Sequence, residues 1–303
     1  MRFAVIVFCG MLFGWTSSGC RQEKAAIDTY QSGFIRISAD ESFQPVIDEQ
    51  VRMYEATYPD ARIEVHYKTE ADCLKDLFFD TATRAVIVTR ALTPSEEKWL
   101  HDTLSYFPKW NMVAKDAIAV IVHNSNPDSL IHLKDLKSML AGTYREREYE
   151  LVFDGLNATS AYRFIKDSLM QGVEIVNTRI KAGKNSKEVL EYVSNNPKAI
   201  GFTGVSWIGN PEVKEQREML KKVKIASLYH EQDSMFMQPE QMNILFNKYP
   251  LVRGLYYVVK ESYQGLGTGF TNFLRSERGQ LIFRRAYLAP MMELEVRNVR
   301  ITE

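Results

Sequence analysis

Cysteine is scarce in this chain of 303 residues, which carries only Cys9, Cys20 and Cys73. An excess of either charge is lacking too, since 38 basic residues stand against 38 acidic ones and the formal net charge is zero. The two signs are mixed along the chain without a long block of either, so no nucleic-acid partner is expected. A weak global field leaves a small anion open as a ligand, because oriented backbone amides in a cleft hold one without a charged surface. The five histidines, His66, His101, His123, His132 and His230, show no ligand spacing with each other or with Cys73, and no metal site is expected. Nothing has the pattern of a nucleophile elbow or of a paired-acid hydrolase, so neither catalysis nor a cofactor is expected. Gly265, Gly267 and Gly269 ahead of Phe270 look superficially like a dinucleotide loop, yet no acidic partner follows at a strand end.

Long apolar runs are also few. Arg2 is followed by an apolar stretch from Phe3 to Trp15, which breaks at Thr16, well short of the roughly 20 residues a bilayer span requires. With Ser17, Ser18 and Gly19 behind it, residues 1–19 read as an export signal. Small residues directly before Cys20 resemble the lipobox of bacterial lipoproteins, although Ser17 stands where a leucine is usual. That resemblance implies acylation of Cys20, each buried CH₂ contributing about 0.8 kcal/mol to membrane anchoring. Residues 20–32 are polar and suit a lipidated tether. Cys73 then remains alone in the mature domain and no internal disulfide can form. Stability must come from a core, for which 45% hydrophobic residues suffice, and a chain of this length is expected to form two lobes.

Periodicity sets the order of elements. A strand at Phe34–Ile37 precedes an amphipathic helix in which Pro45 occupies the first turn and Ile47, Val51, Tyr54 and Tyr58 recur at helical spacing. Arg62 to Tyr67 alternates as a strand, Ala71 to Phe79 is helical, and Ala85 to Val88 is a continuous apolar strand of the doubly buried kind. Thr93, Pro94 and Glu96 form a capping box that starts the next helix. Ala117–Val122 is a further apolar strand, followed by a short helix over Leu133–Leu140. Strands at Leu151–Phe153 and Ile200–Thr203 bracket helices near Ala161–Met170 and Ser186–Ser194. A strand at Val223–Leu228 is expected to return the chain to the first lobe, where Leu255–Val259 and two helices, near Thr268–Leu274 and Ser276–Ala286, complete it. The tyrosines from Tyr249 to Tyr263 are read as core aromatics. Short strands alternating with helices predict an α/β fold of two lobes, each a mostly parallel sheet flanked by helices. Residues 33–118 with 226–303 form lobe one, and 119–225 form lobe two.

In such folds ligands bind where strand ends meet helix starts, which singles out Ser38–Phe43, Thr69–Asp72 and Asp154–Ser160. Together these features resemble the substrate-binding proteins of bacterial phosphate ABC transporters, from about Phe34 to Pro290. ISADESFQPVIDEQVRMYEATYP is similar to that family's opening strand, ligand loop and helix. RAVIVTRALTPSEE is similar to its strand ending in a hydroxyl residue and arginine before a capped helix. AKDAIAVIVHNSNPDSLIHLKDLKSMLAGT, AIGFTGVSWI, YPLVRGLYYVV and FTNFLRSERGQLIF follow in the family's order. The resemblance implies a type II periplasmic-binding-protein-like fold.

It also implies a ligand set: the Ser42 hydroxyl and the Phe43 N–H at the first loop, Glu70 and Ala71 at the second, Arg90 at a strand end, and Asn157, Ala158, Thr159 and Ser160 at the third. Two loops depart from the family's pattern. Glu70 stands where glycines and serines are usual, which leads to an expected ion pair between Glu70 and Arg90, and the third loop lacks the usual glycines. Phosphate keeps a proton near neutral pH while sulfate does not, so a carboxylate acceptor selects against sulfate; Asp154, Glu70 and Asp72 are the candidates. The function implied is capture of inorganic phosphate, or a similar tetrahedral oxyanion, by a monomeric lipid-anchored protein that serves an ABC permease. A ligand-sensing or interaction lipoprotein of the same fold, with an altered pocket, is the alternative.

Overall fold

A computed structural model describes residues 28–155, 159–171, 173–176 and 178–291. The export signal, Cys20, Asn157 and Ala158 lie outside the described residues. The chain opens with β1 (Gly33–Asp40), α1 (Gln44–Thr57), β2 (Ala61–Lys68), α2 (Glu70–Phe79), β3 (Thr83–Val88), α3 (Pro94–Leu104) and the long β4 (Lys109–His123). Next come β5 (Leu130–Ile131), α4 (Leu133–Leu140), β6 (Glu150–Phe153), α5 (Ser160–Phe164), β7 (Ile180–Ala182), α6 (Ser186–Asn195) and β8 (Ala199–Gly204). After these follow α7 (Lys214–Leu220), β9 (Val223–Ile225), β10 (Ser227–His230), β11 (Met235–Met237), α8 (Gln241–Leu245), β12 (Val252–Val259), α9 (Leu266–Arg275), α10 (Glu277–Arg285) and β13 (Ala289–Pro290).

The main sheet has the order β2-β1-β3-β12-β4-β8-β6-β7. At one end β1 runs parallel to β2 and β3, and at the other β6 runs parallel to β7 and β8. Between them the pairing turns antiparallel, with β12 against β3 and β4, and β4 against β8. A single strand thus serves both halves: Lys109–Ala117 of β4 pairs with β12, while Ile118–Val122 pairs with β8. Its residues from Ala117 to Val122 are wholly buried, which is why that stretch reads as an uninterrupted apolar run. Helices cover both faces, and the largest buried cluster runs from Ile35 and Phe43 to Phe153, Phe202 and Phe283.

Local signals in the sequence correspond closely to these elements. Pro45 lies in the first turn of α1, and both bonds of the α3 capping box form, Glu96 N–H to Thr93 Oγ1 at 3.3 Å and Thr93 N–H to Glu96 Oε2 at 2.8 Å. Tyr249 and Tyr257 are core residues, whereas Tyr256 is half-buried and Tyr263 is exposed, so the tyrosines of this stretch are core only in part. The glycines before Phe270 open α9, where Gly267 and Thr268 N–H groups donate to Glu261.

One expected strand is corrected. Val223–Leu228 breaks at Ala226 into β9, which pairs with Ile121–His123 of β4, and β10, which joins β5 and β11 in a separate three-stranded sheet. Its apolar character specified a buried strand but not which edge it would meet.

Gly201 in β8 is required by close packing. A Cβ there would lie 2.7 Å from Val193 Cγ2 and 2.9 Å from Val189 Cγ1 of α6 and from Ile121 Cγ1 of β4. Gly201→Ala is expected to cost about 1–3 kcal/mol by overpacking, seen as a lower urea midpoint at unchanged slope; an unshifted midpoint would show that α6 does not sit on this strand.

Candidate functional site

In an open α/β sheet the crevice lies beyond the carboxyl ends of strands, where the strand order reverses. This fold has two such points. The chain leaves β1 for β2 on one side and then crosses to β3 on the other; likewise β6 is flanked by β7 and β8. The loops at those ends are Asp40–Phe43 and Asp154–Ser160. A 3₁₀ turn over Glu41–Phe43 shapes the first, its Ser42 N–H donating to Asp40 Oδ1 at 2.9 Å. The second is set by Phe153, whose ring stacks on Phe202 with centroids 4.3 Å apart and so fixes the backbone that carries Asp154.

The two loops meet. Ser42 Oγ donates to Asp154 Oδ2 at 3.3 Å and lies 3.4 Å from Ser160 Oγ. Arg253 of β12 joins them, its Nη1 donating to Ser160 Oγ at 2.7 Å and its Nε to Asp116 Oδ2 at 2.8 Å. Arg253 and Asp116 are direct partners in the β12–β4 register, so the sheet itself sets this ion pair. The guanidinium carbon stands 5.0 Å from the centroid of the Phe43 ring. Ser206 Oγ and Trp207 Nε1, just after β8, donate to the Ser42 carbonyl at 3.2 and 2.9 Å. Ser42, Phe43, Asp116, Asp154, Ser160 and Arg253 are all buried. Asp40 Oδ2, Asp154 Oδ1 and Arg253 Nη2 are buried without a hydrogen-bond partner among the described residues. Burying such atoms unpaired is costly, and an arrangement of this kind suits a ligand with both donors and acceptors.

The second loop behaves differently from expectation. Glu70 does not pair with Arg90; it accepts from Arg163 Nε at 2.5 Å, Arg163 Nη2 at 3.3 Å, Thr89 N–H at 2.8 Å and Thr89 Oγ1 at 2.6 Å. Arg90 instead donates both of its terminal nitrogens to Glu96, each at 2.7 Å, because the acid of the α3 capping box lies directly in front of it. Ala71 and Asp72 are exposed at the start of α2, and Asp72 accepts from Thr69 Oγ1 at 2.8 Å. Thr159 is buried at the start of α5, donating to Gly155 O at 3.3 Å. Reading the sequence missed Asp116, Arg163 and Arg253, and within the Ser38–Phe43 loop it gave no role to Asp40 and Glu41. Arg253 did leave a signal as a lone charge inside an apolar strand run, and Asp116, next to Lys115, stands at the edge of one.

Charge here leans acidic, with Asp40, Glu41, Glu70, Asp116 and Asp154 gathered around Arg163 and Arg253. Burial raises the Asp40 carboxyl to about 6 against the pull of Arg253, with Glu70 adding to the rise. Burial and the nearby Asp154 raise Glu41 to about 7. Asp154 and Asp116 are also raised by burial, which Arg253 opposes. For Glu70 burial works against ionisation, but the Arg163 hydrogen bond and charge win and hold it below its ordinary value. Burial disfavours the Arg253 charge, yet Asp116 and Asp40 more than compensate and keep it protonated.

A carboxyl raised on folding holds its proton more tightly in the folded chain. Its stabilising contribution is present below the ordinary carboxylate range and is lost as pH rises through about 6 for Asp40 and about 7 for Glu41. Glu70 acts in the opposite sense and matters only below its ordinary value of 4.5. The unfolding temperature is therefore expected to fall from about pH 5 to about pH 8, and to fall less in Asp40→Asn and Glu41→Gln; an identical slope in both variants would remove these groups as its source. Arg253→Met leaves Asp116 buried without its partner and is expected to cost about 3–5 kcal/mol in chemical unfolding.

Residues 21–278 match the model of the PBP superfamily domain, and the chain belongs to the PBP superfamily. Among curated relatives, the phosphate-binding protein PstS of Pseudomonas aeruginosa is 23% identical over 254 residues, covering 76% of this chain and 74% of that protein. Among solved structures, a phosphate ABC transporter substrate-binding protein from Clostridium perfringens with bound phosphate superposes with a TM-score of 0.69 at 21% identity, over 86% of this chain and all of that one. An ABC-type phosphate transport receptor from Vibrio cholerae gives 0.62 at 16% identity, over 84% and 99%. Both likenesses show the fold, in agreement with the family resemblance read from the sequence. Among the described residues no helix is long and apolar enough to cross a membrane.

Proposed function

We propose that this chain is an extracytoplasmic solute-binding lipoprotein that captures inorganic phosphate, or a similar tetrahedral oxyanion, between its two lobes and delivers it to an ABC permease. The observation that carries the reading is the meeting of Ser42, Ser160 and Arg253 at two facing switch points: two hydroxyls and a buried guanidinium, drawn from opposite halves. Donors of this kind at helix starts grip an oxyanion. Phosphate would part the direct Ser42–Ser160 contact and receive the Ser42 hydroxyl, the Phe43 N–H, the Thr159–Ser160 start of α5 with Asn157 and Ala158 before it, and the unpaired Arg253 Nη2. Asp154, with one oxygen unpaired, would accept the proton that distinguishes phosphate from sulfate. Glu70, Ala71 and Arg90 fall outside this set: the first binds Arg163, the second is exposed and the third is paired with Glu96.

Hinge closure is the mechanism this implies, since a ligand that touches both lobes favours the closed state by its differential affinity. Lobe one would comprise residues 33–118 with the last part of the chain, and lobe two would begin at 119. The pairing of β10 with β5 supports extending lobe two past residue 225. Cleavage after residue 19, acylation of Cys20, a tether that ends short of residue 32 because Asp28 already accepts from Leu266 N–H and Tyr263 Oη on the domain, a monomeric state and the absence of catalysis complete the reading. The acidic surroundings favour a second one, a sensor of the same fold whose ligand is not phosphate.

Calorimetry of the lipid-free protein against phosphate, sulfate and molybdate separates the two. Phosphate is expected to bind in the micromolar range or tighter, sulfate far more weakly, and Ser42→Asp to weaken phosphate by about 100-fold or more through like-charge contact. No heat and no thermal shift with millimolar phosphate would end the transport reading.

A further inference from the structure

The donors that Glu70 collects are the donors an anion site offers. They are one backbone amide and one hydroxyl, both from Thr89 at the end of β3, and the fork of an arginine. Thr89 belongs to the half built on β1, and Arg163 lies on α5 of the half built on β6, so the carboxylate ties the two together. Glu70 is 2% exposed, and Arg163 Nη2 also donates to Thr89 Oγ1 at 2.9 Å, which leaves this arginine facing the same crevice. A second carboxylate repeats the pattern: Glu41 accepts from Ser186 N–H at 3.2 Å and from Ser186 Oγ at 3.0 Å, at the start of α6 in the other half. The Ser42–Ser160 contact belongs to the same seam, where Asp40, Asp116, Asp154 and Arg253 are further charged groups, and Asp167, on the exposed side, lies 3.7 Å from Arg163 Nη1.

Taking the cleft as an anion site, we propose that Glu70 is a built-in occupant of it: its carboxylate satisfies Arg163 and Thr89 in place of a ligand, holds the halves closed without one, and is displaced from Arg163 when an oxyanion enters, which adds Arg163 to the donors given for phosphate above. Ligand binding in the wild type is then an exchange of anions within halves already closed, in place of the ligand-driven hinge closure given under the proposed function, and Glu70 sets the affinity by competing. Two like charges cannot share the Arg163 fork at full strength, so the incoming anion gains only the difference between itself and the carboxylate.

X-ray scattering of the full mature protein in solution, with and without inorganic phosphate, tests this alongside calorimetry. Wild type is expected to keep nearly the same radius of gyration in both conditions. Glu70→Gln, which keeps the side-chain volume, and Glu70→Ser are expected to expand without phosphate and contract with it, and to bind phosphate about tenfold tighter. Arg163→Gln is expected to expand likewise but to gain no affinity, since the cation shared by carboxylate and ligand is gone. Circular dichroism checks that each variant is folded, and Glu70→Gln decides should Glu70→Ser not fold. A wild-type contraction with phosphate as large as that of Glu70→Gln, or weaker binding by Glu70→Gln, overturns the proposal. If no protein binds phosphate, the phosphate reading fails, and the ligand-free comparison still decides: an expanded Glu70→Gln beside a compact wild type upholds the clasp, and equal radii refute it.

Discussion

The buried pair between Arg253 and Asp116 is the constraint around which the rest is arranged. Two charges out of water are tolerated only when they are close and hydrogen-bonded, and here the β12–β4 register sets them opposite each other. Once anchored, the guanidinium has further donors to give, and one reaches Ser160 of the other half. Through that bond the α5 start is drawn toward the Ser42 turn, and the two switch points become a single seam. The buried Phe43 ring of the first loop lies 5.0 Å from the guanidinium carbon.

Around this anchor the seam is crowded with acids. A site that collects more carboxylates than cations favours the protonated form of some of them, and burial raises Asp40, Glu41 and Asp154 in the same direction. Glu70 is held ionised by Arg163, and Asp116 is held in its ion pair with Arg253. The seam therefore contains both acids with a raised affinity for a proton and an acid that can stand in for a ligand. This division of roles follows from which carboxylate lies nearest a guanidinium, not from residue type.

Much of the framework could be read directly. The capping box at Thr93, the proline in the first turn of α1 and the doubly buried run from Ala117 to Val122 are local patterns with local causes, and each has its counterpart in the fold. The site was legible in part. Ser42, Thr159, Ser160 and Asp154 stood out because strand ends and helix starts are visible in a sequence. Arg163 did not, since an arginine within a helix resembles any surface cation until its neighbours are known, and Arg253 was passed over although a lone charge in an apolar strand is a visible mark. The expected Glu70–Arg90 pair failed for the same reason: both residues had the right charges, but Glu96 lay closer to Arg90 and Arg163 closer to Glu70.

Hydrophobic period, turn chemistry and caps act over a few residues, so the sequence by itself determined the α/β class and the order of the longer strands and helices, though not short elements such as β7, α7, β11 and α8. Partner choice across the fold was decided only by tertiary structure. Whether β10 joins β4 or β5, which arginine meets Glu70, and whether Ser42 faces Ser160 depend on contacts between residues more than a hundred positions apart in the last case. Such contacts are fixed by sheet register and by the need to pair buried charges, and neither leaves a periodic mark on the chain.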